Sequence, residues 1–556
     1  MTTNEFRTDI GRNWFYSKYA FSQSETWLAA CWRVVNAVAG DAGGTQKDLM
    51  PMEEQKRLVH YMTMFMWLPG GRYMYYAGRL LRAYNNCYLL KGEEDTREEW
   101  ARIAASHTSC LMTGGGTGCD YSVFRPKGSS LSRTGGVASG PLPLMDLINS
   151  VGQNVRQGAS RRSAMYASLN WQHGDIEDFI VAKDWHNMKI GNSNMTLAEA
   201  KMQDFDFKAP LDMTNISVNY DDDWVLDPDR ANNPIFLKNV EQALSTGEPG
   251  FSFNFFEKIL ETLRNACTEV SSEDDGDVCN LGSPNFGAIE NVQQLADCTD
   301  LVAKFLVCGT VRAQLPYEKI RQVREKNRRL GLGIMGLAEW LLKRSMPYEV
   351  TPELHNWLSI WRQHSIHGAN VQCDRLGLNH PVAYRAIAPT GTISQLAGTT
   401  SGIEPLYAVA YKRRYLVEGD KRKFEFVIDA TAERLIQENG VDPDTIESAA
   451  SLAMDPERRI KFQADVQDYT DMAISSTINM PEWGSKYNNP DHIKPFAEIL
   501  SRYAPRLRGF TCYPDGARGG QPITAVPFEE AQKHKGIVYA EHDVCDITGK
   551  GGPCGT

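Results

Sequence analysis

Asn265-Ala266-Cys267-Thr268-Glu269 places an amide, a thiol and a carboxylate at alternate positions. In an extended segment successive side chains face opposite ways, so all three would project to one side. That arrangement sets a thiol between a hydrogen-bonding amide and a potential general base. A second thiol follows in Cys279-Asn280-Leu281-Gly282-Ser283, and a third lies far upstream in Asn85-Asn86-Cys87-Tyr88. Pro389-Thr390-Gly391-Thr392-Ile393-Ser394 offers hydroxyls and backbone N–H groups around a glycine. A turn of this kind that opens a helix suits an oxyanion or a phosphate. Any one of these strings arises by chance in many chains, so their company decides their meaning.

The whole chain has 556 residues, 42% of them hydrophobic and 23% charged, with a net charge of −10. That excludes a disordered, collagenous or coiled-coil protein and leaves ample apolar material for a large core. The acidic balance argues against duplex nucleic acid, which needs a basic surface, but not against a small phosphorylated ligand in a local pocket. No apolar run of about 18 residues occurs, so no membrane span is expected; Leu301 to Val311, interrupted by Lys304, reads as a buried helix. The N-terminus lacks a basic region followed by an apolar run, so a cytoplasmic protein is expected. In a reducing compartment the twelve cysteines do not read as a disulfide framework. No Cys-x-x-Cys occurs, and the spacings suit neither zinc fingers nor iron–sulfur clusters.

Three regions are expected: a mostly helical stretch over 1–69, a catalytic domain over 70–530, and a flexible tail over 531–556 with Cys545 and Cys554. Gly114-Gly115-Gly116-Thr117-Gly118 marks backbone that must approach something closely. Thr351-Pro352-Glu353 reads as a helix start, and Tyr411 to Phe426 as a hairpin turning at Glu418-Gly419-Asp420. Gly331-Leu332-Gly333-Ile334-Met335-Gly336 spells a dinucleotide fingerprint, but the stretch before it is basic and helix-like rather than a strand, so close helix packing is the better reading. His364 and His367 sit three apart on a helical stretch with no acidic partner at ligand spacing, so no metal site is assigned.

Taken in chain order, these segments resemble the catalytic chain of ribonucleotide reductases. The order is Asn86-Cys87, the glycine run with Arg125-Pro126-Lys127-Gly128, and Gln157-Gly158-Ala159-Ser160-Arg161-Arg162. His173-Gly174-Asp175-Ile176, Asn215-Ile216-Ser217-Val218, the 265–269 string, Cys279 to Ser283 and Pro389 to Thr392 complete it. The resemblance implies a ten-stranded α/β barrel of two five-stranded parallel halves, with a central finger loop carrying Cys267. It implies replacement of a ribonucleotide 2′-hydroxyl by hydrogen. Cys267 would carry a thiyl radical, Glu269 act as general base and Asn265 hold the hydroxyls. Cys87 and Cys279 would supply the reducing electrons and end as a disulfide. Residues 389–394 would hold the phosphates, and Cys545 and Cys554 would pass electrons from thioredoxin or glutaredoxin.

The resemblance also bears on the radical source. Oxygen-dependent members take the radical from a second subunit through a late adjacent tyrosine pair; here the only adjacent pair, Tyr75-Tyr76, is early. Glycyl-radical members lack a Cys279 equivalent. Phe510 to Gly520 looks like the segment of the adenosylcobalamin-dependent class, whose cofactor keeps its own base on cobalt, which accords with the absence of Asp-x-His-x-x-Gly. Adenosylcobalamin is therefore the expected cofactor, and a di- or triphosphate the substrate, with diphosphates favoured. The chain begins close to the catalytic region, so no ATP cone is expected. A deoxynucleotide effector is expected near Asp95, usually at a homodimer interface, with residues 192–215 relaying its identity. The rival readings are an oxygen-dependent large subunit and a catalytically silent nucleotide-binding paralogue.

Overall fold

The computed structural model describes residues 5–41, 47–132, 135–155, 163–204, 207–417, 421–517 and 523–540. Among them no helix is long and apolar enough to cross a membrane. The barrel strands are β1 (Cys87–Lys91), β2 (Gly116–Asp120), β3 (Met165–Asn170), β4 (Thr214–Tyr220), β5 (Gly250–Phe253), β6 (Asp277–Pro284), β7 (Leu330–Leu332), β8 (Thr477–Met480) and β9 (Gly509–Pro514). With Trp67–Pro69, antiparallel to β6, they form one mixed sheet of ten strands.

β1 to β5 run parallel in sequence order. The second half begins with the parallel pair β6 and β7. Backbone bonds then join β7 to Ala383 and Tyr384, Ile387 pairs in parallel with Ile474 just before β8, and β8 lies parallel to β9. The halves meet antiparallel at both seams, β1 with β6 and β5 with β9, so the sheet closes. Strands covered on both faces are buried throughout: Cys87–Leu90 is so, and all of β6 is too, although Asp277, Asn280 and Ser283 are polar and Asp277 is paired with Arg329.

Helices cover the outside. The apolar run at Leu301 lies in α1 (Val292–Arg312), with Lys304 paired to Glu54 and Asp300. Alongside it packs α2 (Pro352–Leu376), which starts where Thr351 accepts a hydrogen bond from the Leu354 N–H. The N-terminal region is helical over Asp9–Trp14, Trp27–Ala39 and Met52–Thr63. The hairpin pairs Ala410–Val417 with Lys421–Ile428. Residues 531–540, assigned by sequence to the tail, hold the end of helix Phe528–His534 and strand Val538–Ala540, which pairs with the hairpin. Phe424 and Tyr539 stack there, which holds the 538–540 strand on the hairpin. Residues 541–556, with Cys545 and Cys554, the 157–162 motif and the expected turn at 418–420 lie outside the described residues.

A short hairpin, Leu263–Arg264 with Ser271–Ser272, fills the barrel interior. Its base is held by buried charge. The Arg264 guanidinium donates to Asn254 Oδ1 at 2.7 Å, Arg508 pairs with Glu261 at 2.9 Å, and Arg329 with Asp277 at 2.8 Å. The glycine run is what admits this finger: a Cβ on Gly118 would lie 1.8 Å from the Arg264 carbonyl oxygen. Backbone cannot yield as a side-chain tip can. Gly118→Ala is therefore expected to lower stability by roughly 1–3 kcal/mol in denaturant titrations. By shifting the finger on the order of 1 Å it should also lower turnover about a hundredfold. Wild-type values for both would overturn this packing argument.

Candidate active site

The finger tip is a tight turn, not the extended segment expected from its alternating residues. The Thr268 N–H bonds the Asn265 carbonyl at 2.9 Å, Thr268 has φ +70°, and Asn265 Oδ1 accepts from the Val270 N–H at 2.9 Å. The asparagine side chain thus closes the turn, an arrangement with which a strand cannot compete. Its other end, Nδ2, lies 3.0 Å from Cys87 Sγ. Cys87 stands directly opposite Cys279 across the β1–β6 seam. Facing residues of an antiparallel pair have Cα atoms about 4.5–5.5 Å apart, within the range a disulfide spans.

A cavity of about 380 Å³ opens over this turn, lined by Cys87, Cys267, Glu269, Asn86, Gly114–Gly116 and residues 388–393 among others. Cys279 is buried just behind Cys87, and Gly331 closes over its sulfur, since a Cβ there would lie 2.7 Å away. At Gly331 the dinucleotide-like stretch therefore serves close packing of strand on strand, not the helix packing expected from sequence. Cys267 is the one exposed thiol among the described cysteines.

Electrostatics separate the acid from the thiols. Burial pushes the Cys87 thiol well above its usual range, reinforced by Glu269 and Cys267. Burial does the same to Cys279, reinforced by Glu269 and Asp277. Both therefore stay protonated near neutrality. Glu269 is fully buried, and neither carboxylate oxygen has a hydrogen-bond partner among the described residues. Burial pushes it up to about 7, against a smaller opposing pull from Asn265. A buried acid without a partner at a cavity wall is arranged to meet a ligand hydroxyl.

Opposite the thiols, α3 (Gly391–Ala397) begins at the cavity after Thr390, a left-handed residue whose Oγ1 accepts from the Gly402 N–H at 2.9 Å. Pro389, Thr390, Gly391, Thr392 and Ile393 line the cavity. Ser394 does not: it is buried, with its hydroxyl 2.8 Å from that of Ser401. One wall residue and one that bonds to the wall escaped the sequence reading. Trp14 lines the cavity and Tyr19 Oη donates to Thr392 Oγ1 at 3.0 Å, so the N-terminal region completes the site. No local pattern signals a contact across that much chain.

Asp95 lies elsewhere. It accepts from Arg125 Nε at the edge of a second cavity of about 730 Å³ with Trp100, Phe124 and Val137. Asn215, the last residue of the expected relay span, donates from Nδ2 to the Ala266 carbonyl on the finger at 2.8 Å.

The model of the ribonucleotide reductase barrel domain matches residues 85–222, 235–356 and 373–500. A vitamin B12-dependent ribonucleoside-diphosphate reductase of Mycobacterium tuberculosis is 26% identical, over 84% of this chain and 73% of its own. Another with the same name, from Thermoplasma acidophilum, is 27% identical, over 84% of this chain and 66% of its own. The class Id ribonucleotide reductase alpha subunit of Actinobacillus ureae superposes with a TM-score of 0.69 at 16% identity, covering 92% of this chain and 98% of that one. At that identity the likeness is one of fold.

Proposed function

The chain belongs to the ribonucleotide reductase family, and on that premise we propose that it reduces ribonucleoside diphosphates to 2′-deoxyribonucleotides through a thiyl radical on Cys267, with adenosylcobalamin as cofactor. One observation carries the reading: Cys87 faces Cys279, Asn265 bonds to Cys87, and Cys267 and Glu269 line the same cavity.

The fit to the cofactor rests on exposure: Cys267 is the one exposed thiol among the described cysteines, whereas Cys87, which also lines the cavity, is buried. Trp14 and Gly114–Gly116, on the cavity wall, would meet that group. Adenosylcobalamin supplies, when bound, a carbon radical able to take the Cys267 thiol hydrogen. The remaining work belongs to the chain. The Cys267 sulfur removes the 3′-hydrogen of the ribose, while Glu269 takes the 3′-hydroxyl proton and Asn265 keeps the hydroxyls in register. The 2′-hydroxyl leaves as water with a proton from the Cys87–Cys279 pair. The second thiol hydrogen goes to C2′, the pair, having given up two electrons, closes as a disulfide, Glu269 returns its proton to the 3′-oxygen, and Cys267 returns hydrogen to C3′. Residues 389–393 would cradle the phosphates at the start of α3. Relatives named as vitamin B12-dependent support the choice of cofactor.

The isolated chain, given adenosylcobalamin, dithiothreitol and CDP or CTP, is expected to form deoxynucleotide without a second protein, and faster from CDP. Absence of turnover would favour the oxygen-dependent reading. A deoxynucleotide effector would bind the Asp95 cavity, and its identity would reach the finger through Asn215.

Cys545 and Cys554 would carry electrons from thioredoxin or glutaredoxin to the internal disulfide. Replacing both by Ser is expected to stop thioredoxin-supported cycling while one turnover per pre-reduced site persists. Sustained cycling would remove the shuttle.

A further inference from the structure

His364 and His367 have no acidic partner in their own segment, and the fold brings one from another helix. Asp300 of α1 lies against α2 because position 368 is glycine: a Cβ there would sit 2.3 Å from the Asp300 carbonyl oxygen. That close approach seats the Asp300 carboxylate beside both imidazoles. His367 Nδ1 is 2.5 Å and His364 Nδ1 4.0 Å from Asp300 Oδ1. The three donor atoms lie within 4.8 Å of one another.

We propose that Asp300, His364 and His367 bind a divalent d-block cation of the zinc type, clamping α1 to α2. The donor set is chemically apt, since two imidazoles and one carboxylate suit zinc and leave a fourth position for water. Bonds of about 2.0–2.1 Å in a tetrahedron need donors about 3.3 Å apart. Measured to Asp300 Oδ1, His367 Nδ1 must part and His364 Nδ1 must close in, each by under about 1 Å, within the reach of side-chain rotation. Histidines at i and i+3 already share one helix face. His364 Nδ1 is a buried nitrogen without a hydrogen-bond partner among the described residues, which a cation would satisfy. The other carboxylate oxygen, Oδ2, is held by Lys304 at 2.8 Å, which fixes the orientation of Oδ1. Such a clamp would brace the helix that packs on β6, the strand of Cys279.

Thiols elsewhere also bind zinc, so the test must identify the ligands. The chelator-stripped full chain is titrated with Co²⁺ and read by absorption, in which thiolate ligation gives intense near-ultraviolet charge transfer and nitrogen–oxygen ligation only weak visible bands. The wild type should bind one equivalent with the weak visible bands alone. His364→Ala and Asp300→Asn should each lose it, and His367→Gln, a change at an exposed position that leaves the fold intact, should weaken it roughly tenfold or more. Zn²⁺ should displace it and raise the melting temperature of the wild type but not of His367→Gln. Unchanged binding in His367→Gln, or cobalt spectra of thiolate type only, would overturn the proposal.

Discussion

Cys267→Ser is expected to abolish turnover while leaving nucleotide affinity nearly untouched. Serine fits the same turn, since Asn265, not residue 267, closes it. It keeps a polar tip of similar size at the cavity wall, so affinity should stay within about threefold. An O–H bond is much stronger than an S–H bond and does not yield its hydrogen to a carbon radical, so the rate should fall by more than about a thousandfold. Equilibrium binding of CDP beside a turnover assay separates the two effects. If binding and rate fell together, Cys267 would be a packing residue.

Glu269→Gln is expected to lower turnover by about 10² to 10⁴, the usual worth of a positioned base. The pH profile identifies the cause. With its carboxyl held at about 7, the wild-type kcat/KM should rise with pH through that value as the base ionises. The thiols of Cys87 and Cys279, pushed well above their usual range, do not titrate in this window. Glutamine cannot ionise, so the variant should be flat there. Stability should move the opposite way. Between the ordinary carboxyl value of 4.5 and about 7 the folded chain holds a proton that the unfolded chain has lost. Unfolding therefore becomes easier as pH rises, by about 3 kcal/mol across the window. Glu269→Gln should remove that slope and gain stability at pH 8. A wild-type pH profile in the variant would take the role of base away from Glu269.

The chemistry-bearing residue types were plain in the chain: three thiols, an amide and a carboxylate in short strings, and a glycine between hydroxyls. The helix starting after Thr351 and the hairpin of 411–426 were also legible, because capping and turn preferences act over a few residues. Alternation misled at 265–269. There the Asn265 side chain outcompetes strand pairing, an outcome of one hydrogen bond that spacing does not encode. Tyr19 and Trp14 left no trace as site residues, and Asp300 left none as the partner of two histidines.

By itself the order of amino acids determined which groups are available and which local turns and helices they favour, since those depend on neighbours a few bonds away. Only the closed sheet decided that Cys87 meets Cys279 and that the finger passes Gly118. Strand register and the packing of α1 on α2 are settled by burial of many side chains at once, so long-range proximity belongs to the whole fold.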